Sequence, residues 1–299
     1  MKIGTPTLDQ LAVLVAIADH GSLAAAGRAL GRATSVIAYQ LDGLESQLGI
    51  ALFHRGTTRR PRLTDAGRLV LAHARETLGN VAALQAGVAA LSEGQEAELS
   101  LSVTVMFPID TLVAALTALQ ARFPTLAVRL HVEALGAVQA RLFDGSATLA
   151  IGGALDGVNE RLVRRSLAGV PLVPVAAPGH PLTRPDIAPG AAQRHLQLVL
   201  TDRSQLTQGR DFGVLSARSW RLGDMSAKHA LLKAGAGWGN MPVPMVAADL
   251  AAGTLVQLQL PDWPGTTYPI ELLHRPDHTP GPAARWLMDW LALQGAPSP

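Results

Sequence analysis

The sequence predicts an α+β chain of several units: an N-terminal winged helix-turn-helix, a long linker helix and a C-terminal α/β part. Three observations carry this reading. Residues 21–49, GSLAAAGRALGRATSVIAYQLDGLESQLG, hold two short helical patterns separated only by a pause at Gly31. From Leu71 to Leu91 apolar residues step by three or four. Beyond residue 98 strand-like and helix-like stretches alternate, which is the pattern of α/β layers.

The 299-residue length allows two or more compact units, and 48% apolar residues supply ample core. Polar residues interrupt every apolar run before it reaches the roughly 18–20 residues a membrane span needs. The opening MKIGTPTLDQLAVLVAIADHGS could suggest a secretory signal, but Asp9 precedes a short apolar run whose helical pattern continues into the residues after it. It reads as the first structural helix of a cytoplasmic protein with no membrane partner. With no cysteine, disulfides, thiolate metal sites and cysteine nucleophiles are excluded. The net charge of +2 is unevenly placed: residues 1–64 carry seven cations against four anions, and four of those cations fall between positions 55 and 62. Such a density suits a phosphate-facing surface.

Leu8, Leu11, Val15 and Ala18 recur at helical spacing, predicting a helix over 7–19 that closes near His20-Gly21. Ser22 can cap the next helix, whose small side chains let a partner helix approach at a steep angle, and Gly31 ends it. Thr34 or Ser35 supplies an oxygen for the following N-terminus. Val36, Ile37, Leu41, Leu44 and Leu48 form the buried stripe of a helix that ends at Gly49. Two helices joined by a tight glycine turn make a helix-turn-helix. GIALFHRGTTRRPRLT then reads as a strand, a tip at Gly56, Thr57 and Thr58, and a second strand, placing Arg55, Arg59, Arg60 and Arg62 beside a duplex backbone.

Over residues 11–71 the ordered series from LAVLVAIADHGSLAAAGRAL through LDGLESQLG and LFHR to LTDAGRLVL resembles the LysR-type transcriptional regulators. The resemblance implies binding to double-stranded promoter DNA, with the start of the recognition helix in the major groove. Carried onto this sequence, that start is Thr34, Ser35, Ala38 and Tyr39, with Gln40 beside them. The family often has serine at position 38 and arginine at 39; here an alanine methyl can meet a thymine methyl, and the Tyr39 hydroxyl can reach a base or phosphate. The recognition face has no cation, so electrostatic affinity falls to Arg28, Arg32 and the wing arginines.

Thr64 can cap a long helix with Asp65 in its first turn. Its stripe, Leu71, Ala74, Leu78, Val81, Leu84, Val88 and Leu91, is nearly heptad, and the resemblance implies antiparallel pairing with a second copy. Packing on its own C-terminal part is the alternative. SEGQEAE marks a hinge near residues 92–98. The expected divisions are 1–63 for the DNA-binding domain, 64–97 for the dimerisation helix and hinge, and 98–299 for the remainder.

In that remainder LSLSVTV, LAVRLHVE and TLAIGG read as strands, with helices at PIDTLVAALTALQARF and AVQARLFDG between them. Strands alternating with helices imply parallel sheets. After residue 164 comes the Pro- and Gly-rich VPLVPVAAPGHPL. A second set then begins with LQLVLTD, continues as a helix running into a glycine-rich loop in KHALLKAGAGWGNMP, and ends in a closing helix from Pro282 to Leu293. This resembles the family's effector domain, two α/β subdomains of the periplasmic-binding-protein type around a small-molecule cleft. One subdomain would span about 98–164 plus 270–293, the other about 165–269. Ligands in such folds sit at the C-terminal ends of strands, which nominates Met106, Phe107, Ala134, Leu135, Thr201, Asp202, Arg203, Met225 and Trp238. They are mostly apolar with a few polar anchors, so a partly apolar effector is expected. Trp238 and Phe107 could instead pack the subdomain interface, and Asp202 and Arg203 could pair with each other.

Enzyme signals are weak. GAGWG lacks the spacing and preceding strand of a dinucleotide fingerprint, and Pro276 breaks the helix that HRPDH would need to present His274 and His278 to a metal. No Gly-x-Ser-x-Gly elbow occurs. The competing readings are a periplasmic-binding-like ligand-binding protein or enzyme with an unrelated N-terminal domain, and a structural DNA-binding protein without a ligand switch. The first lacks a signal sequence or a catalytic constellation; the second leaves most of the chain without a role. The reading is a ligand-responsive regulator needing no cofactor, a dimer of dimers by the resemblance, that bends promoter DNA and shares it with RNA polymerase.

Overall fold

The computed structural model describes residues 4–54, 61–92 and 96–294. It divides into two compact units, Met1–Ala89 and Ala90–Pro299.

In the first unit Thr7 and Gln10 form a reciprocal capping box that starts α1 (Leu8–His20). The Ser22 hydroxyl accepts the Ala25 N–H (3.1 Å) at the start of α2 (Leu23–Leu30), and Gly31 ends it at φ 65°, a left-handed conformation that favours glycine. Helix α3 (Thr34–Leu48) starts differently from expectation. Its N-cap is Ala33 in extended backbone with no side-chain bond, so Thr34 and Ser35 stand inside the first turn and point outward.

The core joins Val13, Leu14 and Ile17 of α1 to Ala26 of α2 and Ile37, Leu41 and Leu44 of α3. Leu8 is exposed while Leu11, Val15 and Ala18 are half-buried, so the expected α1 stripe is displaced. An almost wholly apolar helix has no unique stripe, and packing against α2 and α3 selects the face. Val36, expected inside, is 41% exposed, whereas Ile37 beside it is fully buried.

Phe53 and Leu63 form an antiparallel bridge, and the His54 N–H donates to the Arg62 carbonyl (2.8 Å), giving the base of the wing. The wing tip with Gly56, Thr57 and Thr58, and the arginines Arg55, Arg59 and Arg60, lie outside the described residues. The Thr64 hydroxyl accepts the Gly67 N–H (2.9 Å), which caps α4 (Asp65–Ser92). Leu71 and Ala74 are buried in the winged-helix core, correcting the expectation that they are free for a second copy. Leu78 and Val81 are half-buried, Leu84 and Val88 are exposed, and the Leu91 side chain lies outside the described set.

The second unit is built on one nine-stranded sheet in the order β2-β1-β3-β9-β4-β7-β5-β6, with β8 also paired to β4. Its elements are β1 (Glu98–Thr104), α5 (Ile109–Arg122), β2 (Ala127–Glu133), α6 (Ala137–Phe143), β3 (Leu149–Gly153), β4 (Val163–Ala176), β5 (Gln197–Leu200), β6 (Ser219–Leu222), α7 (Met225–Lys233), β7 (Trp238–Pro242), α8 (Val243–Ala252), β8 (Val256–Gln257), β9 (Thr266–His274) and α9 (Pro282–Gln294). Strands β2-β1-β3 are parallel, as are β7-β5-β6.

The two parallel sets are joined through antiparallel neighbours, β3-β9-β4-β7, which the alternation of strands and helices does not by itself imply. Strands β4 and β9 run through both halves, with a register shift between Leu167 and Val170. The first half of the Pro-rich run, residues 170–176, is therefore the C-terminal part of a 14-residue strand. Pro171 pairs with Thr267 of β9, and Pro174 pairs with Asn240 of β7 while its carbonyl accepts the Leu258 N–H (2.8 Å). The expected glycine-rich loop after α7 is likewise partly strand, as Trp238–Pro242 form β7. Leu101, Leu119, Ile151, Leu272 and Leu287 anchor the core of one half; Val175, Leu198, Leu232, Met241 and Val246 anchor the other.

Candidate functional site

The outward face of α3 begins with Thr34, Ser35 and Val36 and continues to Tyr39, whose side chain is among the most solvent-exposed large groups of the protein at 76%. Ala38 and Gln40 flank it half-buried. At the far end of the helix Glu45 Oε1 accepts the Leu52 (2.6 Å) and Phe53 (3.2 Å) N–H groups. It thereby ties the recognition helix to the base of the wing and fixes how its N-terminal face is presented. In the sequence Glu45 stands out only as a break in the apolar rhythm.

Arg28 is exposed at the end of α2, and Arg62 is exposed on the wing. Arg32 is engaged within the chain: its Nη1 lies 2.5 Å from Asp9 Oδ1 at the start of α1. The guanidinium holds the Asp9 carboxyl below the usual carboxylate range, and the carboxylate raises the Arg32 pKa in turn. The sequence reading gives Arg32 a share of the electrostatic affinity; here it stands at the surface, paired with Asp9.

In the second unit a cavity of about 360 Å³ opens between the two halves of the sheet. Met106 and Leu135, both nominated from sequence, line it. Leu135 adopts φ 46°, a left-handed conformation that branched or bulky side chains rarely take, at the turn from β2 to α6. Ala134 and Met225 are instead core residues, and Phe107 packs against the neighbouring core. Trp238 is fully buried among Leu182, Leu258 and Leu260, and its Nε1 donates to the Ala192 carbonyl (3.2 Å). The alternation of β7 turns the indole into the core, so Trp238 packs the interior and does not face the cavity.

Thr201, Asp202 and Arg203 line an adjoining, more polar cavity of about 520 Å³. Asp202 accepts the Ala137 N–H at the start of α6 (2.8 Å) and the Thr207 hydroxyl, bracing one half against the other. It forms no ion pair with Arg203 among the described residues.

Three residues missed in the sequence shape the first cavity. Lys228 of α7 is only 3% exposed, donates to the Asn240 carbonyl (2.7 Å) and has its pKa pushed down to about 8 by burial. Gln139 of α6 is buried, its Nε2 donating to the Gly153 carbonyl (2.9 Å) and to Asn159 Oδ1 (3.1 Å). Tyr268 of β9 is covered, and burial raises its phenol pKa. Lys228 could have been noticed from spacing, since Met225, Lys228 and Leu232 fall on one buried helical face.

Among the described residues no group of three His, Asp or Glu side chains could hold a metal ion. Likewise, no single described helix is long and apolar enough to cross a membrane.

Two family models match the chain: the bacterial regulatory helix-turn-helix of the LysR family over residues 8–68, and the LysR substrate binding domain over residues 92–295. The regulator PtxR of Pseudomonas aeruginosa is 31% identical over 266 residues, covering 86% of this chain and 82% of its own. The probable regulator YhaJ of Escherichia coli K12 is 28% identical over 253 residues, covering 83% of this chain and 84% of its own. The solved structure of CrgA, a LysR-type regulator from Neisseria meningitidis, superposes with a TM-score of 0.52 at 21% identity, covering 97% of this chain and 99% of its own. These relatives are transcriptional regulators and not enzymes, and this chain belongs to the LysR family, as a regulator with a helix-turn-helix for DNA and an effector-binding domain.

Proposed function

We propose that this regulator reads a promoter through Thr34, Ser35, Ala38, Tyr39 and Gln40, and gains sequence-independent affinity from Arg28, Arg62 and the wing cations Arg55, Arg59 and Arg60. The observation that carries this is the exposed, uncharged start of α3 with Tyr39 projecting from it. Base readout and phosphate attraction then reside on separate elements. The exposed part of the α4 stripe, Leu84 and Val88, supports pairing with a second copy, which would match two recognition helices to a two-fold DNA site. The family's dimer-of-dimers arrangement, a cytoplasmic location and contact with RNA polymerase belong to the same reading.

The effector reading places a small molecule in the cavity between the halves of the second unit, lined by Met106 and Leu135. Strands β4 and β9, the two that run through both halves, are the elements about which the halves would reorient. An effector that favours one arrangement shifts the population and with it the engagement of DNA. The proposed divisions remain 1–63, 64–97 and 98–299, with lobes of about 98–164 plus 270–293 and about 165–269.

The test is fluorescence anisotropy of the full-length protein on duplexes tiled across the promoter region beside its own gene, at two salt concentrations. Tyr39→Ala should change the preferred sequence, whereas Arg60→Ala should weaken all duplexes and reduce the salt slope by about one unit. Equal effects of both substitutions on specific and nonspecific duplexes would reject the division of labour.

A further inference from the structure

Resting on the reading of the interlobe cavity as the effector site, two buried polar groups define what it can accept. Lys228 brings a cation to the wall and forms no ion pair among the described residues; the one hydrogen bond of its ammonium there is to the neutral Asn240 carbonyl. The cavity wall carries one carboxylate, Asp211, which pairs with Arg221 (2.6 Å). Its other titratable group is the Tyr268 phenol, neutral at physiological pH and held further so by burial. A buried ammonium without a counter-charge is unfavourable unless an anion reaches it, and a carboxylate there would exchange desolvation for a charge-assisted bond.

Gln139 lines the same wall, and its Oε1 is a buried acceptor with no hydrogen-bond partner among the described residues. Its orientation is set by its neighbours, because Nε2 already meets two acceptors, the Gly153 carbonyl and Asn159 Oδ1. The Asn159 amide is fixed in turn, donating to the Gly153 carbonyl and to Glu271. The free position on Gln139 therefore asks for a donor. Between these groups the wall is largely apolar, with Met106, Leu155, Leu172 and Phe212 on it.

We infer that the effector is a small organic acid: its carboxylate docks on Lys228, its apolar body fills the Leu- and Met-lined wall, and a hydroxyl or amino donor faces Gln139 Oε1. A neutral isostere of the same shape would leave Lys228 unpaired and be rejected.

The test is thermal-shift and calorimetric titration of the full-length protein with matched probes. These are benzoate, 4-hydroxybenzoate, salicylate, phenylacetate and hexanoate, each beside its primary amide, in a non-carboxylate buffer. At least one acid should bind at least tenfold more tightly than its amide, and Lys228→Met, with its melting transition intact, should lose that preference. Ala154→Trp, a substitution at an exposed position on the cavity wall, should abolish binding while leaving Lys228 in place. Binding of acid and amide alike, abolished by Ala154→Trp, would overturn the acid selectivity and leave the cavity as effector site. Acid binding that survives both substitutions would place the ligand elsewhere and overturn both readings. Absence of binding by every acid to the folded wild-type protein would overturn the inference.

Discussion

The two functional surfaces of this regulator place their polar groups on opposite sides of the protein boundary. On α3 the hydroxyls of Thr34, Ser35 and Tyr39 stand in water above an apolar core of Ile37, Leu41 and Leu44. In the cavity Lys228 and Gln139 are themselves buried. Groups already hydrated can be exchanged at little cost to folding. Groups withdrawn from water are held there by the rest of the structure, at a cost that lasts until a ligand answers them. Specificity for DNA should therefore vary freely in stability terms, while specificity for the effector should be coupled to it.

The largest effect lies outside both surfaces, where backbone approaches backbone. A Cβ on Gly67, in the first turn of α4, would stand 2.0 Å from the Leu52 carbonyl oxygen. That oxygen also accepts the Thr64 N–H (2.9 Å), so it cannot withdraw without loosening the cap. Gly67→Ala should destabilise the first unit by about 3 kcal/mol, measured by denaturant unfolding monitored through helical circular dichroism. A loss below about 0.5 kcal/mol would show that the wing base yields and that the close approach is not structural.

A paired buried charge is the proper contrast to Lys228, and Asp249 of α8 supplies it. Its carboxylate meets Lys233 (2.6 Å), Thr254 (2.8 Å) and His229 (2.7 Å), and these bonds, that to Lys233 foremost, lower its pKa to about 2. Because the folded pKa lies below the unfolded value of 3.8, the stabilisation is present above pH 3.8 and is lost as pH falls through about 2. Asp249→Asn should cost about 2 kcal/mol at pH 7, and the difference from wild type should vanish in acid melts near pH 2. A difference that persists unchanged there would assign the effect to packing.

Much of the first unit was legible because its signals are local. Ser22, Gly31, Gly49 and Thr64 punctuate helices that the structure places within a residue or two of expectation. The errors there concern faces, as with Val36, where two adjacent apolar residues compete for one buried position. The second unit was legible in element order but not in pairing. Strands β4 and β9 are adjacent in the sheet though their residues lie about a hundred positions apart, and no periodicity encodes that meeting. Prolines 171 and 174 interrupt the rhythm of strands and helices in the sequence, yet both stand within β4. The cavity was hardest, because Gln139, Lys228 and Tyr268 come from a helix, another helix and a returning strand, each ordinary in its own stretch.

The cost of Lys228 can be measured directly. Its folded pKa of about 8 lies below the unfolded 10.5, so between these values the unfolded chain binds more protons and stability rises with pH; below about 8 the full penalty is present. The shift corresponds to roughly 3 kcal/mol, part of which Lys228→Met would lose again by stranding the Asn240 carbonyl. Lys228→Met should therefore stabilise the second unit at pH 7 by about 1–2 kcal/mol, read as a raised melting temperature. Its advantage over wild type should shrink as pH rises from 8 toward 10. A destabilised variant would show that the ammonium is a net support of the fold, and the contrast with α3 would fail.

The smallest effect in stability belongs to Tyr39. With its ring mostly in water and no partner holding it among the described residues, Tyr39→Ala should alter unfolding by no more than about 0.5 kcal/mol. The same substitution removes the largest side chain from the exposed start of α3, so the change in preferred DNA sequence should come without a change in the melt. Paired measurements on Tyr39→Ala and Lys228→Met thus separate two ways of carrying specificity. If Tyr39→Ala instead lowers the melting temperature by several degrees, the tyrosine supports the helix-turn-helix. Recognition and folding would then be coupled at both surfaces, because an exposed aromatic would be contributing to the core it stands above.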